Sequence, residues 1–94
     1  MEITINRSKI DDFTIDDQGK VHAPRYFLED KSLKDISKRL FCLIAKHAMY
    51  TESNIVSSVI FNSILDKEGI DFDVHTVKGI IELNDEGYIS IGEI

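Results

Sequence analysis

The sequence predicts an α+β domain that is mainly helical, with three helices between an N-terminal β-hairpin and a C-terminal strand. Three observations support this fold class. Hydrophobic residues recur at helical spacing between residues 33 and 86, glycines interrupt that pattern where helices must stop, and apolar residues alternate with polar ones at both ends. The length suits one domain, 1–94, divided into a β-rich segment (1–31) and a helical segment with a terminal strand (32–94).

The N-terminal segment has the period-two pattern of strands. Ile3 and Ile5 alternate with polar neighbours, as in a half-buried strand. The runs 13–15 and 21–23 flank a turn in which Gly19 suits a positive φ and the preceding aspartates can accept backbone hydrogen bonds. Pro24 has no amide hydrogen and ends the pairing. These features predict a β-hairpin.

The first helix is predicted over 33–50. Ser32 and Asp35 have the spacing of a capping box, so the helix begins there. Its main apolar face comprises Leu33, Ile36, Leu40, Leu43, Ile44 and His47. Residues after Leu40 are apolar nearly all round the helix. The N-terminal strands or a second subunit must therefore cover this half, and we expect a homodimer.

The second and third helices are predicted over 53–67 and 72–86, followed by a strand over 88–93. The second helix has a main face of Val56, Val59, Ile60 and Ile64, with Ile55, Phe61 and Leu65 on its flanks, and Gly69 after its end. The third begins at Asp71 or Asp73, carries the apolar set Val74, Val77, Ile80, Ile81 and Leu83, and stops at Gly87. Gly79 inside that helix costs about 1 kcal/mol relative to alanine, which indicates close packing against another helix.

Composition limits the classes of function. No apolar stretch approaches the roughly 18 residues of a membrane span, the N-terminus does not resemble a signal peptide, and Cys42 has no cysteine to pair with. We therefore expect a cytoplasmic protein with no membrane partner. Residues 33–50 carry four basic side chains against one acid, whereas residues 51–94 carry two against nine. Most of the net charge of −6 thus lies in the C-terminal half.

Two stretches resemble winged helix-turn-helix proteins. The run Ile80-Ile81-Glu82-Leu83-Asn84-Asp85-Glu86-Gly87-Tyr88-Ile89 is similar to the L-x-x-L-x-x-x-G-[aromatic or aliphatic]-I ending of their recognition helices. The run Pro24-Arg25-Tyr26-Phe27-Leu28-Glu29-Asp30-Lys31-Ser32-Leu33, with Leu40 beyond it, resembles the first part of winged helices in phage and plasmid replication-initiator and DnaD-like proteins. Over roughly residues 24–94, the resemblance implies a winged-helix-like core and DNA binding in transcription regulation or replication. The wing is expected to be truncated, because only seven residues follow Gly87.

The candidate DNA-binding residues are cations on two of the helices. Lys34, Lys38, Arg39 and Lys46 form the basic side of the first helix and would contact phosphates. By position in the resemblance, the groove-reading role would fall on Asp73, His75 and Lys78. The acidity of the third helix favours a second hypothesis, in which the domain is an adaptor or inhibitor that binds a protein through Asp73, Glu82 and Asp85. The sequence does not decide between a DNA partner and a protein partner.

Enzymatic chemistry has little support, and we predict no catalytic residue, metal or cofactor. Asp71, Asp73 and His75 have metal-ligand chemistry, but helix capping explains the aspartates more simply. Cys42 lies near Lys38 and Lys46, which would favour a reactive thiolate, although a small buried apolar residue is the simpler interpretation. His47 is interpreted as a hydrogen-bonded core residue.

Overall fold

The computed structural model describes residues 1–92. In chain order the elements are β1 (Glu2–Ile5), a 3-10 turn (Arg7–Ile10), β2 (Thr14–Ile15), β3 (Val21–His22), α1 (Arg25–Leu28), α2 (Asp35–Thr51), β4 (Ile55–Ser57), α3 (Ser58–Lys67), α4 (Val74–Asp85) and β5 (Ile89–Gly92). The α+β class, the N-terminal hairpin and the C-terminal strand are confirmed. Glu93, where we predicted the last strand to end, lies outside the described residues. Within residues 1–92, no helix combines the length and the apolar character needed to cross a membrane.

The first strand is the centre of a three-stranded antiparallel sheet with the order β4-β1-β5. Ile3 lies opposite Val56 on one side and Ile91 on the other. Ile3 and Ile5 are buried, as their alternation predicted, because that face of β1 packs on the helices. β5 therefore has a partner strand, which we did not expect from the sequence.

The predicted hairpin is formed by β2 and β3. Asp16 Oδ1 accepts hydrogen bonds from the backbone N–H groups of Gln18 and Lys20, both at 2.9 Å. Gly19 has the expected positive φ, +78°. Val21 and Ala23 pack against the core, so the hairpin covers part of α2.

The predicted capping box at the start of α2 is wrong. The Ser32 hydroxyl donates to Asp30 Oδ1 at 2.6 Å, and no side chain of the helix caps its own first turn. Glu82 of α4 supplies the acceptor instead: its Oε1 accepts from the Lys34 backbone N–H and from the Ser37 hydroxyl, both at 2.7 Å. The cap of α2 therefore comes from a distant segment, which local spacing cannot reveal.

The buried face of α2 is rotated from the predicted one. Leu40, Phe41, Ile44, Ala45 and Ala48 have no exposed surface, whereas Leu43 and His47 are only half-buried. The rotation occurs because the N-terminal segment packs against Phe41. The rings of Phe13, Phe27, Phe41 and Tyr88 form a cluster with centroids 5.0–5.6 Å apart.

The predicted start of the second helix is wrong by five residues. Residues 55–57 form β4, because Val56 completes the sheet beside Ile3. α3 begins only at Ser58, and the Ser57 hydroxyl accepts from the Ile60 backbone N–H at 3.3 Å. The predicted apolar face is consequently wrong as well: Phe61 and Leu65 are buried, while Val59 and Ile60 are exposed.

The third predicted helix is α4, and its packing confirms the interpretation of Gly79. A β-carbon built at Gly79 would lie 2.8 Å from Leu40 Cδ1, so the absence of a side chain allows α4 to approach α2 closely. Ile80 and Leu83 are buried, but Val74, Val77 and Ile81 are exposed, contrary to the prediction of one apolar set. Gly69 and Gly87 end α3 and α4 with positive φ, as predicted.

Candidate interaction surface

The outer side of α4 is apolar although it faces solvent. Val74, Val77 and Ile81 lie on adjacent turns, and their exposed fractions are 60%, 38% and 48%. They face outward because the close approach of Gly79 to Leu40 turns Ile80 and Leu83 toward the core. Three branched aliphatic side chains on one solvated helix face are unusual for a surface without a partner.

Residues outside α4 extend this apolar region. Met1, Phe72 and Ile91 line a shallow groove of about 110 Å³ together with Val77 and Ile81. Phe72 is 54% exposed, and its ring edge contacts Phe61 at a centroid distance of 6.3 Å. We refer to Met1, Phe72, Val74, Val77, Ile81 and Ile91 as the α4 surface.

A wider depression adjoins the α4 surface on the side of α3. Its volume is about 600 Å³, and Met1 and Phe72 line it as well as the smaller groove. The rest of its lining comes from Ser58, Asn62, Leu65, Asp66 and Ile70. Met1 and Phe72 therefore line both concave regions and connect the α4 surface with the wider depression.

The charged residues around the α4 surface are mostly acidic. Asp71 and Asp73 flank Phe72 in the chain, Asp66 lines the wider depression, and Asp85 lies one turn after Ile81. Asp73 Oδ1 accepts from the backbone N–H groups of Thr76 and His75, and these bonds lower the pKa of its carboxyl. The surface therefore combines an apolar centre with a rim that is mostly negative, although the exposed Lys78 lies on the same helix face as Val74 and Ile81.

The cations predicted to bind DNA point toward different parts of the molecule. The Lys38 ammonium donates to the Leu28 carbonyl at 2.7 Å, whereas the Arg39 guanidinium donates to the Glu68 carbonyl at 3.4 Å. Lys34 is exposed at the start of α2, and Lys46 lies beside α3. The structure does not bring these four side chains together into one basic surface. His75 and Lys78 are exposed on α4.

The three acids predicted to bind a protein differ in their availability. Glu82 accepts hydrogen bonds from the Lys34 backbone N–H and from the Ser37 hydroxyl. These two bonds, the first more than the second, hold the pKa of the Glu82 carboxyl below its usual range. Asp73 caps α4 through two backbone bonds. Asp85 is exposed. Asp85 is therefore the best placed of the three to face a partner.

The residues considered for metal binding or catalysis have structural explanations. Within residues 1–92, no group of three or more His, Cys, Asp or Glu side chains is placed to hold a metal ion. Cys42 is half-buried, and burial raises the pKa of its thiol, which disfavours the reactive thiolate. His47 is half-buried and lines a cleft between α2 and α3. The interpretation of His47 as a core residue is therefore only partly right.

Sequence reasoning missed the apolar part of the site. Met1 lies outside the predicted helices, Ile91 lies in a strand with an ordinary alternating pattern, and Phe72 is only the first residue of the predicted third helix, so none of the three was expected at a site. A signal was present in α4, where Val74, Val77 and Ile81 lie on one side and Ile80 and Leu83 on the other. One apolar side of such a helix can pack in the core of the domain, and the other side remains available to a partner.

Comparisons of the chain with protein-family models, with curated proteins and with solved structures found no match.

Proposed function

We propose that this protein is a binding domain without enzymatic activity, and that its α4 surface binds an apolar, basic segment of another protein. The observation that carries the proposal is the exposure of Val74, Val77, Ile81 and Phe72 on one continuous surface with an acidic rim. Such a patch at the centre of a polar rim is the usual composition of a protein interface.

The apolar centre would supply most of the binding free energy. Phe72 and Ile81 offer large side chains beside a groove, and binding energy at interfaces is concentrated in a few well-packed residues of this kind. Replacing either by aspartate would place an unpaired charge in the interface, so the complex should weaken strongly.

The acidic rim favours a basic partner over a second copy of this chain. A symmetric dimer through the α4 surface would bring Asp71, Asp73 and Asp85 of both copies toward one another, and like charges across an interface oppose association. Lysine or arginine beside the apolar residues of a partner would instead match this rim and accelerate encounter.

DNA binding is the second candidate, and the order of the elements favours it. The helices α2, α3 and α4 followed by the strand β5 keep the order of three helices and a strand in which the chain resembles winged helix-turn-helix domains, and α4, in the position of the recognition helix, exposes His75 and Lys78. The centre of that helix is apolar, however, and its neighbours are acidic, whereas phosphate contacts need clustered cations.

Photo-crosslinking from a single position tests the proposal. A benzophenone amino acid at Val77 should form adducts in an extract of the source organism, whereas the same group at Leu28, an exposed apolar residue on α1, should not form the same adducts. The crosslinked segment is then sequenced and synthesised as a peptide. We expect an apolar segment with lysine or arginine that binds the unmodified domain at least about tenfold more tightly than it binds the Ile81→Asp variant.

Other outcomes contradict the proposal. Crosslinks to a second copy of this chain, or to an acidic segment, would show that the partner class is wrong. A random-sequence duplex is titrated in parallel at about 50 mM salt, where charges are only lightly screened. Duplex binding that Lys38→Glu with Arg39→Glu abolishes, together with no specific adduct at Val77, would replace protein binding by DNA binding.

A further inference from the structure

A cleft between α2 and α3 is lined by cations around an apolar floor. Its volume is about 210 Å³. The apolar lining residues are Leu43 and Ile64, which we call the floor, and Lys46, His47, Lys67 and Tyr50 also line the cleft. The cleft shares no lining residue with the α4 surface, so an inference about it is independent of the proposed function.

The cations of this cleft are not neutralised by ion pairs. No carboxylate of residues 1–92 lies within 4.0 Å of the Lys46 or Lys67 ammonium. Arg39 adds a third cation nearby, since its guanidinium donates to the Glu68 backbone carbonyl. Glu68 is the acid of the cleft lining. Three cations against one acid are concentrated here in a chain whose net charge is −6.

We propose that this cleft is a binding site for a small organic anion, a phosphate or carboxylate carried on a ring or a short hydrocarbon chain. The anionic group would lie between Lys46 and Lys67, where two ammonium groups and the His47 imidazole can donate hydrogen bonds. The apolar body would pack on Leu43 and Ile64. The volume is smaller than the pockets that hold drug-sized molecules, which limits the ligand to about one ring with its anionic group.

Amide chemical shifts during a titration with phenyl phosphate test this site on the intact domain. We expect saturable shifts at Leu43, His47 and Ile64 with a Kd on the order of 1 mM, the range open to so few ligand atoms. Lys46→Gln combined with Lys67→Gln should raise the Kd at least about tenfold, because each lost charge-assisted bond weakens binding. Lys31→Gln, an exposed lysine outside the cleft, should leave it unchanged.

Two further ligands separate the contribution of the anionic group to the binding from that of the ring. Phenol lacks the anion and inorganic phosphate lacks the ring, so both should bind at least about tenfold more weakly than phenyl phosphate. Equal binding of phenol or of inorganic phosphate would overturn the proposal, since one half of the cleft would then play no part. Absence of saturable shifts at the floor residues, with the dispersed spectrum of a folded domain, would also overturn it.

Discussion

At the scale of single residues, Glu82 shows how one carboxylate joins two helices. Its Oε1 accepts from the first turn of α2 and from Ser37, a serine with no exposed surface. Without that acceptor the Ser37 hydroxyl would keep only its 3.4 Å contact to the Gly79 carbonyl. Glu82 is therefore a structural residue of the α2–α4 contact, although its charge first suggested a partner-binding role.

Replacing Glu82 by alanine should destabilise the domain by about 1–2 kcal/mol, the usual loss when a helix cap and a hydrogen bond to a buried hydroxyl disappear together. Urea denaturation followed by circular dichroism measures the change. Asp85→Ala on the same helix is the control, and it should alter the free energy of unfolding by less than about 0.5 kcal/mol. Equal losses for the two variants would contradict the assigned role of Glu82.

Asp16 is the residue whose acidity the fold changes most clearly. The His22 ring, followed by the Lys20 backbone N–H, lowers the pKa of its carboxyl to about 2. Because this folded-state pKa lies below the usual value of 3.8, the hairpin gains stability above pH 3.8 and loses it as the pH falls toward 2. A carboxyl titration by NMR should show the low pKa, and His22→Ala should raise it. An unchanged pKa in that variant would mean that the backbone bonds alone cause the shift.

At the scale of elements, the sequence predicted those parts of the fold that depend on local pattern. The alternation of Ile3 and Ile5, the hairpin turn at Gly19 and the helix stop at Gly87 all follow from backbone chemistry within a few residues. β4 could not be predicted in this way, because residues 55–57 become a strand only when β1, some fifty residues earlier, pairs with them.

The candidate site was less predictable than the fold for a related reason. The hydrophobic periodicity of the sequence showed that several positions of α4 are apolar, but it could not show which of them face the core. Gly79 determines which positions face the core, because it allows α2 to approach one side of α4. Val74, Val77 and Ile81 then lie on the opposite, exposed side. Lys46 belongs to the set of cations predicted from α2, whereas Lys67, which lines the cleft with it, comes from α3 and was not associated with that set.

Two alanine substitutions test the assignment of the helical faces. Leu40 is fully buried against Gly79, so Leu40→Ala should destabilise by about 2–5 kcal/mol. Ile81, which the sequence placed in the core, is nearly half exposed, so Ile81→Ala should cost less than about 1 kcal/mol. Chemical denaturation of both variants gives the comparison. A loss at Ile81 as large as that at Leu40 would show that the α4 surface is buried in the folded protein.

At the scale of the whole molecule, the N-terminal segment completes the core that the helices leave open. β1 lies between β4 and β5, and Phe13 contacts Phe41 with a centroid distance of 5.6 Å. Two observations suggested a homodimer from the sequence: the all-round apolar half of the first helix and a last strand without a partner. In the structure Phe41 and Ala45 are fully buried within the chain, and β5 pairs with β1. The α4 surface remains exposed and available for association, as do Val59 and Ile60 on α3.

We therefore expect the isolated domain to be a monomer of 10.7 kDa at micromolar concentration. The acidic rim opposes pairing of two α4 surfaces, and this repulsion is weakened by salt, so any self-association should increase with ionic strength. Sedimentation velocity at low and high salt measures both effects, and Val77→Asp serves as the control, since it adds charge to the exposed surface and should stay monomeric throughout. A dimer at low salt that dissociates on Val77→Asp would show that the α4 surface accepts a second copy of the chain. That result would contradict the basic, heterologous partner proposed for it.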